Sequence, residues 1–251
     1  MSQRKISSDL VGMTFAPVTF SWTWKEVILY ALGVGAKPEG DLDYVFEGKG
    51  PKVLPTFAVI PGMVGGSGLS QIEINLVWDK GKAAVIVTET AAEDDNGPMF
   101  TTRSTLFIRG AGGFGGERGP STAGLNVPPE RQPDHVVEDV TRPEQGAIYR
   151  LSGDFNPLHI DPDFAKMAGF DKPIVHGLCT YGFAGRAILR VLCGGEPSRF
   201  ESFDARFADN VYFGDTIITK IWRTGAGEAI VQAETQKGNV VLAQAKATYK
   251  E

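Results

Sequence analysis

The sequence predicts an α+β fold in which an antiparallel sheet wraps a central helix, in a chain divided into two related halves. Three observations carry this. An apolar helical pattern from Gly177 to Leu192 is followed by four short strand-like segments with turn residues between them. Residues 111–133 are dense in Gly and Pro with no hydrophobic period, which reads as a linker. The stretches on either side of it echo each other.

In the N-half, residues 1–110, Thr23 and Glu26 precede Tyr30-Ala31-Leu32-Gly33-Val34-Gly35. In the C-half, residues 134–251, Thr141 and Glu144 precede Tyr149-Arg150-Leu151-Ser152-Gly153. Further on, Pro55, Ile60, Pro61, Gly62 and Met63 parallel Pro173-Ile174-Val175-His176-Gly177-Leu178. Asp161-Pro162 reads as N-cap and first turn of a short helix that Gly169 ends. In the long helix, Leu178, Tyr181, Gly185, Ile188, Leu189 and Leu192 share one face, and Gly182, Ala184 and Gly185 are small enough for a sheet to approach. Strand character follows at Phe203–Phe207, Thr216–Trp222, Ala229–Thr235 and Val240–Tyr249. Turns at Phe213–Asp215, Gly225–Gly227 and Lys237–Asn239 separate these segments.

A chain of 251 residues with 42% hydrophobic and 22% charged residues has the composition of an ordinary globular protein. A net charge of −5 without a Lys/Arg run argues against a nucleic-acid surface, and no apolar stretch reaches membrane-spanning length. The N-terminus lacks a signal-peptide core and the C-terminus is not an SKL-type peroxisomal tail, so a cytoplasmic location is expected. Cys179 and Cys193 read as buried thiols. With only His135, His159 and His176, and no CxxC or HExxH, no metal site is expected; His135 reads as an exposed histidine.

The chemistry concentrates in YRLSGDFNPLHIDPDFA, Tyr149 to Ala165. An acid (Asp154), an amide (Asn156), a proline (Pro157) and a histidine (His159) fall within six residues. Pro157 fixes its own φ and biases Asn156 towards extended backbone, so the loop is stiff. A carboxylate and an imidazole held close form a proton-transfer pair, and rigid placement is what such a pair needs. Gly177 opens the long helix. Its backbone N–H lies at the positive end of the helix dipole, suited to a carbonyl oxygen that gains negative charge.

The run resembles the hydratase 2 motif of the MaoC-like dehydratase family, an aromatic residue followed after a spacer by Gly-Asp-x-Asn-Pro-[Leu/Ile/Val]-His and a small residue. Tyr149, Ser152, Gly153, Asp154, Asn156, Pro157, Leu158, His159 and Ala165 all fit it. WKEVILYALGVGA, VFEG, LPTFAVIPGM and GAGGFGGERGP extend the resemblance over nearly the whole chain. It implies a double hot dog fold, an antiparallel sheet around a central helix in each half, with only the C-half catalytic and the degenerate N-half binding the acyl and CoA groups. It implies reversible hydration of a trans-2-enoyl-CoA to an (R)-3-hydroxyacyl-CoA in fatty-acid metabolism, with no cofactor beyond the CoA of the substrate. Asp154 and His159 would hold the attacking water, Asn156 would fix the water or the carboxylate, and Gly177 N–H would polarise the thioester carbonyl. Pro157, Leu158, His176 and Phe207 are further substrate-contact positions, although for His176 packing or capping is the stronger reading and Phe207 reads equally as strand core. Glu47 matches a functionally important glutamate of the family, and a structural salt bridge is the reading favoured for it. A homodimer is expected, because relatives pair two such chains.

One departure stands out. After Ile72–Leu76 the family continues through a further strand pair, whereas this chain passes almost directly to Val77–Val85; about thirty residues are missing, so the N-half is shortened. Lys80 and Lys82, candidates for CoA phosphates, read more safely as solvated turn lysines. The alternatives to a hydratase are a non-catalytic acyl-CoA binder left by that loss, or a dehydratase or thioesterase acting on other acyl thioesters.

Overall fold

The computed structural model describes residues 6–61 and 69–251, so Gly62 and Met63 of the internal echo lie outside the described residues. The chain is α+β, and its elements group into two compact units: residues 1–22 with 58–123, and residues 23–57 with 124–251. This grouping does not follow the expected division into 1–110 and 134–251, because the Thr23–Phe57 segment of the N-half packs with the C-half.

The first unit holds an antiparallel sheet ordered β1-β2-β3-β4, built from Val18–Thr19, Leu69–Asp79, Ala83–Asp94 and Gly97–Arg109. Ile74, Val77 and Ile86 form its buried cluster, with Leu10, Met13, Ile108 and Phe114 against them. The glycine-rich segment beginning at Gly110 is folded back onto the β2–β3 hairpin. The Asp79 carboxylate accepts backbone N–H groups from Gly81, Gly113 and Gly115, and these bonds hold its pKa below the usual carboxylate range. A side chain at Gly112 would collide with the backbone of Ala83, so glycine is required for that approach. The linker reading missed this because the partners are backbone amides. Lys80 is also engaged, donating to the Pro120 carbonyl at 3.2 Å with its ammonium 5.4 Å from the Trp78 ring.

The second unit holds the sheet ordered β5-β7-β8-β9-β6, all antiparallel: His135–Val140, Phe200–Phe207, Thr216–Gly225, Glu228–Thr235 and Val240–Tyr249 for β5 to β9. Its helices are α1 (Trp24–Gly33), α2 (Pro38–Val45), α3 (Gln145–Tyr149), α4 (Pro162–Met167) and α5 (Gly177–Leu192). The helix and four strands expected in the C-half are all present. His135 is half-buried at the start of β5 rather than exposed.

The long helix α5 lies against β5, β6, β7 and β9, the wrapping expected of a central helix. It is buried almost all round, not on one face, because the Thr23–Phe57 segment covers the side away from the sheet. That segment, and not a sheet, is what Gly182 and Gly185 admit. A Cβ at Gly182 would meet Val34 and the Tyr30 hydroxyl, and one at Gly185 would meet Thr56. Arg186 of α5 completes the join by pairing with Asp41 at 3.0 Å and Asp139 at 2.6 Å and donating to the Val34 carbonyl. A buried guanidinium with all three partners is tolerable, whereas removal of the two carboxylates would strand its charge. Cys179 and Cys193 are buried free thiols, as expected. Burial pushes both thiols up, which keeps them protonated.

Candidate active site

The loop that carries Asp154 and His159 is held by local devices that its sequence spells out. Helix α3 runs into a 3-10 turn, Arg150–Ser152, and Gly153 reverses the chain at φ +130, a conformation open to glycine. Asp154 then accepts the Asn156 N–H in an Asx-type turn. Asn156 Oδ1 caps the 3-10 turn Pro157–His159 by accepting the Leu158 N–H at 3.1 Å. Asp161 caps α4 as expected, with Pro162 at its first position.

This turn delivers His159 to the interior at 8% exposure. Its Nδ1 lies 2.9 Å from the Ile174 carbonyl. A carbonyl oxygen only accepts, so neutral His159 carries its proton on Nδ1 and leaves Nε2 as the lone-pair nitrogen. Ligand-capable atoms of Asp154, His159 and His176 all lie within 4.8 Å of one another, so one water molecule can bond the Asp154 carboxylate and His159 together. Two of the three histidines thus meet an acid. This donor set has the composition of a metal site that spacing along the chain did not show, although one nitrogen of each ring already faces a carbonyl.

His159 also lines a cavity of about 100 Å³, together with Gly177, Thr180, Phe207, Val211 and Val241 among others. Pairing of Val175 N–H with the Val211 carbonyl and of Ala208 N–H with the Val241 carbonyl fixes the walls. Gly177 is the first residue of α5, and its N–H finds no acceptor among the described residues. Phe207 ends β6 half-exposed, and a Cβ at Gly177 would come within 3.2 Å of its ring. Phe207 is therefore a wall of the cavity rather than strand core.

The remaining candidates fall elsewhere. Asp154 is half-buried beside His159 but is not on the cavity wall. Asn156, Pro157 and Leu158 are not on it either. The turn that directs His159 inward leaves Asn156 and Pro157 exposed and Leu158 half-buried. His176 is 1% exposed and also off the wall. It stands at the N-cap of α5 without a side-chain capping bond, so packing, and not capping, describes it. Glu47 is exposed in a 3-10 turn, with no ion pair among the described residues, in contrast to the salt bridge expected for it. Thr180, Val211 and Val241 went unnoticed in the sequence. Only Thr180 had a signal, one helical turn beyond Gly177 and 4% exposed.

Comparison with known proteins follows the same line. Residues 125–245 match the MaoC like domain, and residues 20–72 match the MFE-2 hydratase 2 N-terminal domain. The chain is 35% identical to the probable enoyl-CoA hydratase 2 of Dictyostelium discoideum, over 93% of this chain and 92% of that protein. The chain belongs to the MaoC-like hydratase 2 family. A MaoC-like dehydratase from Phytophthora capsici superposes with a TM-score of 0.89 at 30% identity, covering 98% of both chains. Full-length peroxisomal multifunctional enzyme type 2 from Drosophila melanogaster superposes with a TM-score of 0.81 at 33% identity, over 96% of this chain and 48% of that one. The family's fold is the hot dog, as expected. The Dictyostelium alignment runs over 273 positions while using 93% of this chain, so roughly forty positions of that relative have no counterpart here.

Proposed function

We propose that this family member is an (R)-specific enoyl-CoA hydratase, a hydro-lyase that adds water across trans-2-enoyl-CoA to form (R)-3-hydroxyacyl-CoA in fatty-acid metabolism. One observation carries the reading: ligand-capable atoms of Asp154 and His159 lie within 4.8 Å of each other, a span that one bridging water covers, and His159 and Gly177 line the same cavity. The water oxygen bonds to C3 as one of its protons passes to the Asp154/His159 pair, for which Nε2 of His159 is the open lone pair. The pair returns a proton to C2 and ends in its starting state. The electrons displaced from the double bond reside meanwhile on the thioester oxygen, where the Gly177 N–H stabilises them. One such donor contributes about 3 kcal/mol to lowering the barrier. Phe207 bounds the acyl group, and no cofactor beyond the substrate's own CoA enters the cycle.

We further propose a homodimer and a cytoplasmic location. A homodimer fits the edge strand β4, which presents Leu106 and Phe107 at 52% and 61% exposure, and light scattering on the purified chain tests it. No helix among the described residues is long and apolar enough to cross a membrane. A cytoplasmic location is kept as the proposal beside relatives named peroxisomal, and imaging of the tagged chain decides. The activity is tested by following loss of enoyl-thioester absorbance with chiral analysis of the product. Release of free thiol, or binding without turnover, overturns it.

A further inference from the structure

His176 touches both catalytic residues without lining the cavity. Its ring stacks on His159 with centroids 3.7 Å apart and planes 27° from parallel. Its Nε2 lies 3.2 Å from the backbone carbonyl of Asp154. That carbonyl only accepts, so Nε2 carries the proton and the buried Nδ1, with no partner among the described residues, carries the lone pair. One ring therefore acts on two groups. The hydrogen bond pins the backbone from which the Asp154 carboxylate projects, and the ring face sets the plane of His159.

The groups facing His176 are His159 from its turn, Asp154 and Arg150 from the loop before it, and Tyr149 of α3, whose ring centroid is 4.9 Å away. Burial first, and then the neighbouring His159, push the His176 pKa down to about 4. A second positive charge stacked on an imidazolium formed at His159 during turnover is thereby avoided.

We propose that His176 is a positioning residue, which holds the Asp154 turn and the His159 ring in register and leaves the transferred proton to the catalytic pair. The proposal rests on the hydratase reading, and its test separates the two. H176Q keeps an N–H donor near the reach of Nε2, and H176F keeps a flat ring but no donor. In enoyl-CoA hydration assays of the full chain, H176Q is expected to retain kcat within about 10-fold, while H176F loses about 100-fold in kcat with KM nearly unchanged. Imidazole 15N NMR of the wild-type protein is expected to show His176 as the neutral Nε2–H tautomer from pH 8 to about pH 5, a readout independent of turnover. A wild-type rate in H176F, equal losses in both variants, or an imidazolium signal for His176 at about pH 6 overturns the proposal. Should H176F not fold, the NMR tautomer and the H176Q rate decide. An active wild type inactivated by D154A leaves the hydratase reading standing whatever His176 does.

Discussion

The two echoing segments, Thr23–Gly35 and Thr141–His159, begin alike and end differently. In the first, Thr23 and Glu26 close a reciprocal capping box and α1 runs ten residues. In the second, the Thr141 hydroxyl donates to the Asp215 carbonyl and accepts the Gly214 N–H, Glu144 caps nothing, and α3 lasts five residues. The first helix is stabilised from within and the second by its surroundings. Their ends meet: Gln145 of α3 donates its amide to the Leu32 and Gly33 carbonyls that close α1, while the Tyr30 and Tyr149 rings lie 6.1 Å apart. After the tyrosine, one copy turns through Gly35 against Phe183 of α5, and the other leaves through Gly153 into Asp154 and His159. A self-sufficient helix braces its partner segment, and the partner continues into the turn that carries the proposed proton-transfer pair.

The comparison breaks most severely at the chemistry. D154A and H159A are each expected to lower hydratase kcat about 1,000-fold with the melting transition intact, because each removes one member of a proton-transfer pair. Near-wild-type rates from both would reduce the second copy to another brace. Next comes G35A. Gly35 has φ +85 and a Cβ there would lie 2.2 Å from the Phe183 ring, so a loss of about 3 kcal/mol in urea unfolding is expected. A neutral result would mean the brace can move.

Q145A leaves two helix-end carbonyls and a fully buried position without their partner. About 2 kcal/mol of stability should go, and kcat should drop as the α3 frame loosens. Unchanged stability would show that the copies do not support each other. The smallest effect is at E26Q, about 0.5–1 kcal/mol from weakening the capping box, with no change in turnover. The Thr23 hydroxyl and then its N–H hold Glu26 below the usual carboxylate range. Its contribution is therefore full above the ordinary Glu value of about 4.3 and fades as pH falls through the lower native one. Acid denaturation curves should converge for wild type and E26Q at low pH; a constant gap would place the effect outside the carboxylate.

Most of the local geometry of the candidate site was legible because its devices are short-range. Asp161-Pro162 at a helix start, Gly177 at the head of α5, and the Asp154-to-His159 turn are each set by residues within a few positions. What stayed hidden is long-range. Gln145 and Arg186 look like ordinary polar residues until Gly33, Asp41 and Asp139 arrive from distant parts of the chain. The glycine-rich segment looks like free linker until the Asp79 carboxylate gathers its amides.

The sequence alone determined the turn that carries the candidate residues, because Gly, Pro, Asp and Asn dictate backbone turns locally wherever they stand, and the turn then aims His159. Only the tertiary structure decided what surrounds them. It assigned Thr23–Phe57 to the far side of α5, Phe207 to the cavity wall, Pro157 and Leu158 away from it, and His176 to a stack against His159. Burial and contact across a hundred or more residues depend on how elements pack, and no local pattern encodes that.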